Sequence, residues 1–379
     1  MFKSMLKNKK NTSIRNLIIF APFIENGGIE KNLIILTKFL SSKINGIILI
    51  TWKKEDKKHF NKNIKIITPN NLFLKFHNRS IKNFICLFIL VKLFIISKER
   101  LVFSFQSNLY VTIIAKLFQI KNIIRIANYN WMRSKFKKFI FKLILKLPSK
   151  IIVNSNEMKK YLKKDLNINS ECIYNPLNPD EINKNKKTKK THFNKDKEVM
   201  KILFLGRFVD QKDPLTFLKG IKDIKKKIKY QALMVGEGYM RKTVDEFIYK
   251  NNLNNKIKLI KYNSHPMQYL SQCDLLVLTS KYEGLPNVLL EAQYLKKFII
   301  STDCKTGPKE ILNNGKYGNL FRVGDFKGLK KKIEDFYYKK KSKDIKKKID
   351  MGFLNLNRFD YNKCCNKYLS IIKRYIRNE

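Results

Sequence analysis

Short runs of β-branched and aliphatic residues recur along most of the chain, each followed by a stretch with helical spacing. Strand candidates fall at 17–21, 46–51, 64–68, 101–105, 123–126 and 151–154, and again at 201–206, 231–235, 256–260, 275–279 and 298–302. Such alternation is the mark of βαβ units, hence of parallel sheets flanked by helices. The two series are separated by 183–198, which is polar, Lys-rich and without apolar periodicity. It reads as an exposed linker or loop. The expected class is α/β, built from two similar halves, and a length of 379 residues with 44% apolar content suits two cores. The expected organisation is a first domain over 1–182, a linker over 183–198, a second domain over 199–355 and a terminal helix over 356–379. Apolar residues at helical spacing across 361–376 require a packing partner, because a lone helix of that size is marginal.

Charge bears on partners rather than on fold. The formal net charge is +50, from 80 Lys and Arg against 30 Asp and Glu. Such an excess favours nucleic acid, anionic lipid or phosphorylated substrates. Lys far outnumbers Arg, and Asn and Ile are abundant, a pattern that AT-rich coding also produces. No nucleic-acid motif is visible and the lysines are dispersed, so no nucleic-acid partner is expected. The six Cys form no CxxC pair and no zinc spacing with His, which suits reduced, buried thiols in a cytoplasmic protein. Residues 1–15 are basic but lack the apolar run of a signal peptide. The most apolar stretch, 84–97, is interrupted by Lys92 and falls short of the roughly 20 residues of a spanning helix. It reads as a core or interfacial helix. Residues 135–147 alternate Lys with apolar side chains. They form either a core-facing helix with solvated lysines or one lying on an anionic membrane.

One segment concentrates the chemistry. The strand ending at Thr279-Ser280 is followed by a loop, Lys281 to Pro286, and a helix starting near Asn287, a favoured cap residue next to a well-placed Pro. Ligands of open α/β sheets bind at the carboxyl ends of strands, where free helix N–H groups suit a phosphate. Glu283 in the loop and Glu291 on the helix could accept hydrogen bonds from sugar or ribose hydroxyls. Glu291 could equally be an ordinary surface carboxylate.

Here the residues carry a resemblance. Glu283 and Glu291, with Gly284, Leu285, Pro286 and Asn287 between them, resemble the E-x7-E motif of family-4 retaining glycosyltransferases. Gly206-Arg207 followed by Gln211-Lys212-Asp213 resembles the family's strand-end Gly-Arg and Lys. Ser301 to Cys304 with Thr306 to Ile311, Gly27-Gly28 with Glu30, and Tyr174-Asn175-Pro176 resemble further family segments, in the family's order. The resemblance implies a GT-B architecture: two Rossmann-like domains facing across a cleft, with the C-terminal helix returning to the first. It implies that the second domain binds a nucleotide sugar and the first an acceptor, a glycan or a lipid-linked carrier in bacterial surface-polysaccharide synthesis. Such an enzyme would be cytoplasmic, peripheral on the inner membrane face where an anionic surface attracts it. Arg207 and Lys212 would neutralise the donor diphosphate, with no divalent metal, and Glu283 would contact the sugar. Gly206, Leu285, Pro286, Asn287, Val288 and Glu291 would bind the nucleotide part. Gly27 and Gly28 would allow close backbone approach to a phosphate or acceptor. Solvated charge is the plainer reading of Lys212 in so Lys-rich a chain.

One departure stands out. Many relatives have a His near the reacting centre of the first domain. The four His here are His59, His77, His192 and His265, and the corresponding region reads Phe103-Ser104-Phe105-Gln106-Ser107-Asn108. Asn108, Arg125 and Asn128 are the remaining polar candidates there. An inactive sugar-nucleotide-binding protein of the same fold is the alternative this absence raises.

Overall fold

The computed structural model describes residues 16–25, 27–70, 78–96, 100–128, 135–186, 192–194, 196–263 and 265–377. In chain order the elements are β1 (Asn16–Phe20), α1 (Gly28–Ser41), β2 (Ile47–Ile50), β3 (Lys65–Ile67), α2 (Arg79–Ile96), β4 (Arg100–Ser104), α3 (Asn108–Leu117), β5 (Lys121–Ile126), α4 (Lys135–Ile144), β6 (Lys150–Val153), α5 (Asn156–Leu166), β7 (Glu171–Cys172) and α6 (Pro179–Lys186). The series restarts with β8 (Met200–Leu205), α7 (Pro214–Lys222), β9 (Tyr230–Val235), α8 (Arg241–Lys250), β10 (Ile257–Ile260), α9 (Met267–Gln272), β11 (Leu275–Leu278), α10 (Asn287–Tyr294), β12 (Phe298–Thr302), α11 (Pro308–Ile311) and β13 (Asn319–Phe321). Helices α12 (Phe326–Lys339), α13 (Lys343–Leu354) and α14 (Tyr361–Arg377) close the chain.

The strands form two parallel sheets, ordered β3-β2-β1-β4-β5-β6-β7 and β10-β9-β8-β11-β12-β13. In both, the chain runs outward one way through three strands and then restarts the other way. The strand order therefore reverses between β1 and β4 and between β8 and β11, the two places where such sheets open a ligand crevice. All eleven strand expectations are met to within two residues at each end. The two strands not expected, β7 and β13, have two and three residues at sheet edges, too few to show a periodicity of their own. Pairing with a neighbour makes them strands.

Both faces of each sheet are covered, so the strands read as continuous apolar runs rather than alternations. Along β8, Ile202 and Phe204 join one cluster with Phe217, Met234 and Phe298. Leu203 joins the opposite cluster with Leu233, Leu276 and Leu289. In the first sheet Ile18, Phe20 and Val102 pack against Cys86, Leu90 and Phe94 of α2. Helix starts follow local chemistry: Ser155, Asp213, Asp325 and Ser342 each accept a first-turn N–H of the helix behind them.

The chain divides into two compact units, one of Met1–Arg125, Ile140–Ile151 and Cys365–Glu379, the other of Ile126–Phe139 and Ile152–Cys364. The end of the chain thus belongs to the unit that holds the start. Within that unit, Arg125 Nε donates to the Tyr368 hydroxyl at 3.1 Å, Tyr375 donates to the Ser149 carbonyl at 2.7 Å, and the Tyr368 ring lies against Phe103. These contacts supply the partner that the amphipathic pattern of α14 required. Part of the expected linker is structured instead: α6 reaches Lys186, Asn183 donates to the Tyr294 hydroxyl at 2.8 Å, and Phe193 is buried in the second unit's core. Residues 187–191 and 195, like 1–15, lie outside the described residues. All six Cys are free. No described helix is long and apolar enough to cross a membrane.

Candidate functional site

The loops after β8 and β11 meet at the reversal of strand order in the second sheet. Gly236, after β9, lies so close that a Cβ there would fall 1.9 Å from the Gly206 carbonyl oxygen. Asp213 turns the chain with φ 47 and caps α7, and Pro214 fixes that helix's first position. The Thr279 hydroxyl reaches the carbonyls of Lys212 and Asp213, both at 2.8 Å. Gln211 and the backbone at 281–282 exchange two further bonds, Lys281 N to the Gln211 carbonyl and Gln211 Nε2 to that of Tyr282. This lacing delivers the Lys212 ammonium onto Glu283 Oε1, which also accepts from the Ser280 hydroxyl at 2.6 Å. Glu283 is only 6% exposed. Burying a carboxylate is costly unless it is paired and hydrogen-bonded, and here it is both. Lys212 is therefore not a solvated surface lysine.

The other sequence-expected residues gather beside this pair. The cap position of α10 is Pro286, and Asn287 is already helical with no capping side chain. The Asn287 side chain accepts instead from Asn175 Nδ2 at 2.6 Å, and the same amide group donates to the Leu285 carbonyl at 2.8 Å. Asn175, 2% exposed, thus holds the loop from behind. From the far side the Thr306 hydroxyl donates to the Glu283 carbonyl. Gly307, with φ 85, lets the chain pass so near that a Cβ would lie 2.0 Å from the Gly284 oxygen. The N–H groups of Asn287 and Val288, in the first turn of α10, are at the positive end of the helix dipole. Glu291 is buried in the second turn, not a surface carboxylate. Arg207, at the end of β8, is exposed. Burial, and after it the Glu283 carboxylate, push the Cys304 thiol up to about 12, so it stays protonated at neutral pH. Among the described residues no group of three His, Cys, Asp or Glu side chains gathers as metal ligands do.

The first unit has its own crevice at the reversal between β1 and β4. Gly27 caps α1 and Gly28 begins it, but the Glu30 carboxylate folds back over this helix start, within 2.4 Å of where a Gly27 Cβ would be. A carboxylate already there opposes a phosphate at the same place. Gln106 Oε1 accepts from Phe23 N at 3.0 Å, while its Nε2 donates to the Phe23 carbonyl at 2.8 Å and to Glu30 at 3.2 Å. Gln106 lies in the 103–108 region and was not singled out from the sequence. Asn108 bonds Ser104 and the Arg125 carbonyl, and so braces β4 against β5. Arg125 is 1% exposed and spent on Tyr368 and the Phe105 ring, which removes it from the candidate ligand groups. Asn128 is exposed. His192 and His265 lie in the second unit, His59 ends a 3-10 turn after β2, and His77 is outside the described residues.

Residues 184–349 match the family model of glycosyl transferases group 1, so the second half of the chain carries a glycosyltransferase domain. Two solved structures cover nearly the whole chain: a glycosyltransferase from Rickettsia africae (TM-score 0.73, 22% identity, 97% of this chain and 100% of that one) and Anabaena HepE in complex with UDP and glucose (TM-score 0.74, 14% identity, 95% and 99%). The fold is of the GT-B type. Among curated relatives, an uncharacterized glycosyltransferase of Methanocaldococcus jannaschii is 30% identical over 218 residues, which spans 53% of this chain and about half, 54%, of that protein. The N-acetylgalactosamine-N,N'-diacetylbacillosaminyl-diphospho-undecaprenol 4-alpha-N-acetylgalactosaminyltransferase of Campylobacter jejuni is 25% identical over 261 residues, 64% of this chain and 70% of that one.

Proposed function

We propose that this protein is a retaining, family-4 type glycosyltransferase. It moves a hexose or N-acetylhexosamine from a UDP-linked donor to a lipid-linked or glycan acceptor in bacterial surface-polysaccharide synthesis. The observation that carries this reading is the half-buried Lys212 ammonium paired with the buried Glu283 carboxylate beside the start of α10 at the strand reversal. That constellation offers a diphosphate a lysine, a nearby exposed arginine and a helix terminus, and offers the attached sugar a carboxylate.

In the reaction the bond from the anomeric carbon to the β-phosphate oxygen breaks and the nucleoside diphosphate leaves with the electron pair. Arg207, Lys212 and the first amides of α10 hold the charge that grows on it, where electrostatic help lowers the barrier most. They fill the counter-charge role that a divalent ion fills in other transferases. Glu283 orients the sugar hydroxyls and Glu291 the ribose. The acceptor oxygen enters on the face the diphosphate leaves, so the departing phosphate oxygen lies next to the acceptor proton and takes it. A same-face displacement thus needs no His in the 103–108 region. The undecaprenol-linked substrate in the Campylobacter relative's name supports a membrane-borne acceptor and a working place at the inner membrane face.

The test is a panel of labelled UDP-, GDP- and ADP-sugars with a lipid-diphosphate acceptor. A UDP-sugar is expected to be used, the product retaining its anomeric configuration by NMR. Glu291→Ala, which loses a hydrogen bond to a charged group, is expected to weaken donor binding by about 2 kcal/mol, roughly thirtyfold. Donor binding without transfer to any acceptor would favour the inactive binding protein instead. No nucleotide-sugar binding sinks both readings.

A further inference from the structure

Helix α2 is apolar on two opposite faces. Cys86, Leu87, Leu90 and Phe94 point into the first unit's core. Ile81, Phe84, Phe88 and Ile95 recur at helical spacing on the other side and are exposed, Phe84 by 63% and Phe88 by 58%. Helix α3 repeats the arrangement: Val111 and Ala115 are buried while Tyr110, Ile113 and Leu117 are exposed, Leu117 by 75%. The rings of Phe84 and Tyr110 lie 6.2 Å apart and join the two stripes into one patch. The crossovers β3 to β4, β4 to β5 and β5 to β6 all progress the same way across the sheet, so right-handed connection sets α2, α3 and α4 in one layer. The part of α4 in this unit adds exposed Leu143, and Leu147 follows it. Monomeric proteins rarely leave contiguous apolar surface of this kind without a partner.

The charge around the patch identifies the partner. Between Asp56 and Glu157 the chain has a single acid, Glu99, against 20 Lys and Arg. Coding bias enriches Lys, but it does not reduce Asp and Glu to one in a hundred consecutive residues of a chain that keeps 29 elsewhere. Helices α2, α3 and α4 contain no acid at all. Lys92, Lys116, Lys142 and Lys146 are exposed on or next to them. The Lys92 ammonium sits over the Phe88 ring, 4.6 Å from its centre, which puts a positive charge directly beside the exposed apolar stripe. Exposed aromatic and aliphatic side chains accompanied by exposed lysines match the acyl boundary and headgroups of an anionic bilayer. A second copy of the chain would bring the same acid-free, Lys-bearing face against itself, which like charge opposes.

We propose that the α2–α3 face docks the protein onto an anionic phospholipid surface. This rests on the transfer reading only for its purpose, which is to bring the first unit to a lipid-borne acceptor. The test is flotation of the full-length protein with phosphatidylcholine vesicles, with and without added phosphatidylglycerol. Binding is expected to the anionic vesicles and to fall as salt screens the lysines. Lys92→Glu with Lys116→Glu is expected to weaken it by roughly fivefold or more per lysine. Phe88→Ser with Leu117→Ser is expected to abolish the fraction that survives high salt. Thermal unfolding with and without UDP checks that each variant is folded and that the second unit still takes a nucleotide. A protein that binds UDP but no vesicle overturns the docking surface and leaves the transfer reading intact. Vesicle binding with no nucleotide binding supports the surface and sinks the transfer reading. Vesicle binding indifferent to all four substitutions overturns the assignment of this face. A solution dimer that Phe88→Ser disperses, without vesicle binding, assigns the face to a second copy of the chain and overturns the proposal.

Discussion

Lys212 and Glu283 are 71 residues apart, and each depends on the other. Taking away the lysine leaves a carboxylate buried with the Ser280 hydroxyl and no counter-charge. Lys212→Met is expected to cost about 3 kcal/mol in urea unfolding, and the double change Lys212→Met with Glu283→Gln less than that, because the second removes the orphaned charge. A solvated lysine would cost almost nothing when replaced, so this cycle also decides between the two sequence readings of Lys212. The residue types at this site were legible in the sequence because Gly206-Arg207, Lys212 and Glu283 to Glu291 stand in a specific order. Ser280, Asn175 and Gln106 were not singled out as site residues. Ser, Asn and Gln occur everywhere, and only their bonds to Glu283, Asn287 and Phe23 give them roles.

Elements are joined by carboxylates in this molecule as much as by apolar contacts. The Glu310 carboxylate of α11 accepts the first amides of α5, Asn156 N and Glu157 N, each at 3.0 Å, and the Tyr174 hydroxyl at 2.7 Å. It acts as an N-cap supplied from 153 and 154 residues away. Glu157 in turn accepts from Gly307 N at 2.9 Å. Burial first, and the Glu310 charge second, raise the Glu157 carboxyl above its ordinary 4.5. The folded chain therefore binds that proton more tightly than the unfolded one. The stability this contributes is complete below pH 4.5 and is lost as pH rises through the raised value. Glu157→Gln keeps an oxygen for the Gly307 amide and removes the charge. Its unfolding midpoint is expected to exceed that of the unsubstituted protein at about pH 7, with the advantage vanishing below 4.5.

Over the whole molecule, the last helix ties the end of the chain to its beginning. Cys365, Tyr368, Leu369, Ile371 and Ile372 are buried in the first unit, and the Tyr368 hydroxyl accepts from Nε of the buried Arg125. At about 1.5–3 kcal/mol for each large apolar side chain, these contacts sum to roughly 10 kcal/mol. That is on the order of a whole domain's stability. A chain ending at Asp360 is expected to lose the first unit's cooperative transition in calorimetry while the second unit's persists. Retention of both transitions would show that α14 is dispensable to the first unit.

The sequence by itself determined the α/β class, eleven of the strands, the amphipathic last helix and the order of the charged residues around Glu283. Each rests on local information: periodicity, cap residues and short ordered segments. Tertiary structure alone decided the edge strands β7 and β13, the helical start of the stretch expected as a linker, and the burial of Arg125. It also covered the start of α1 with Glu30. The physical reason is common to all of these. A short strand, a buried charge and a capped helix end owe their stability to groups distant in sequence, and no local window contains both partners.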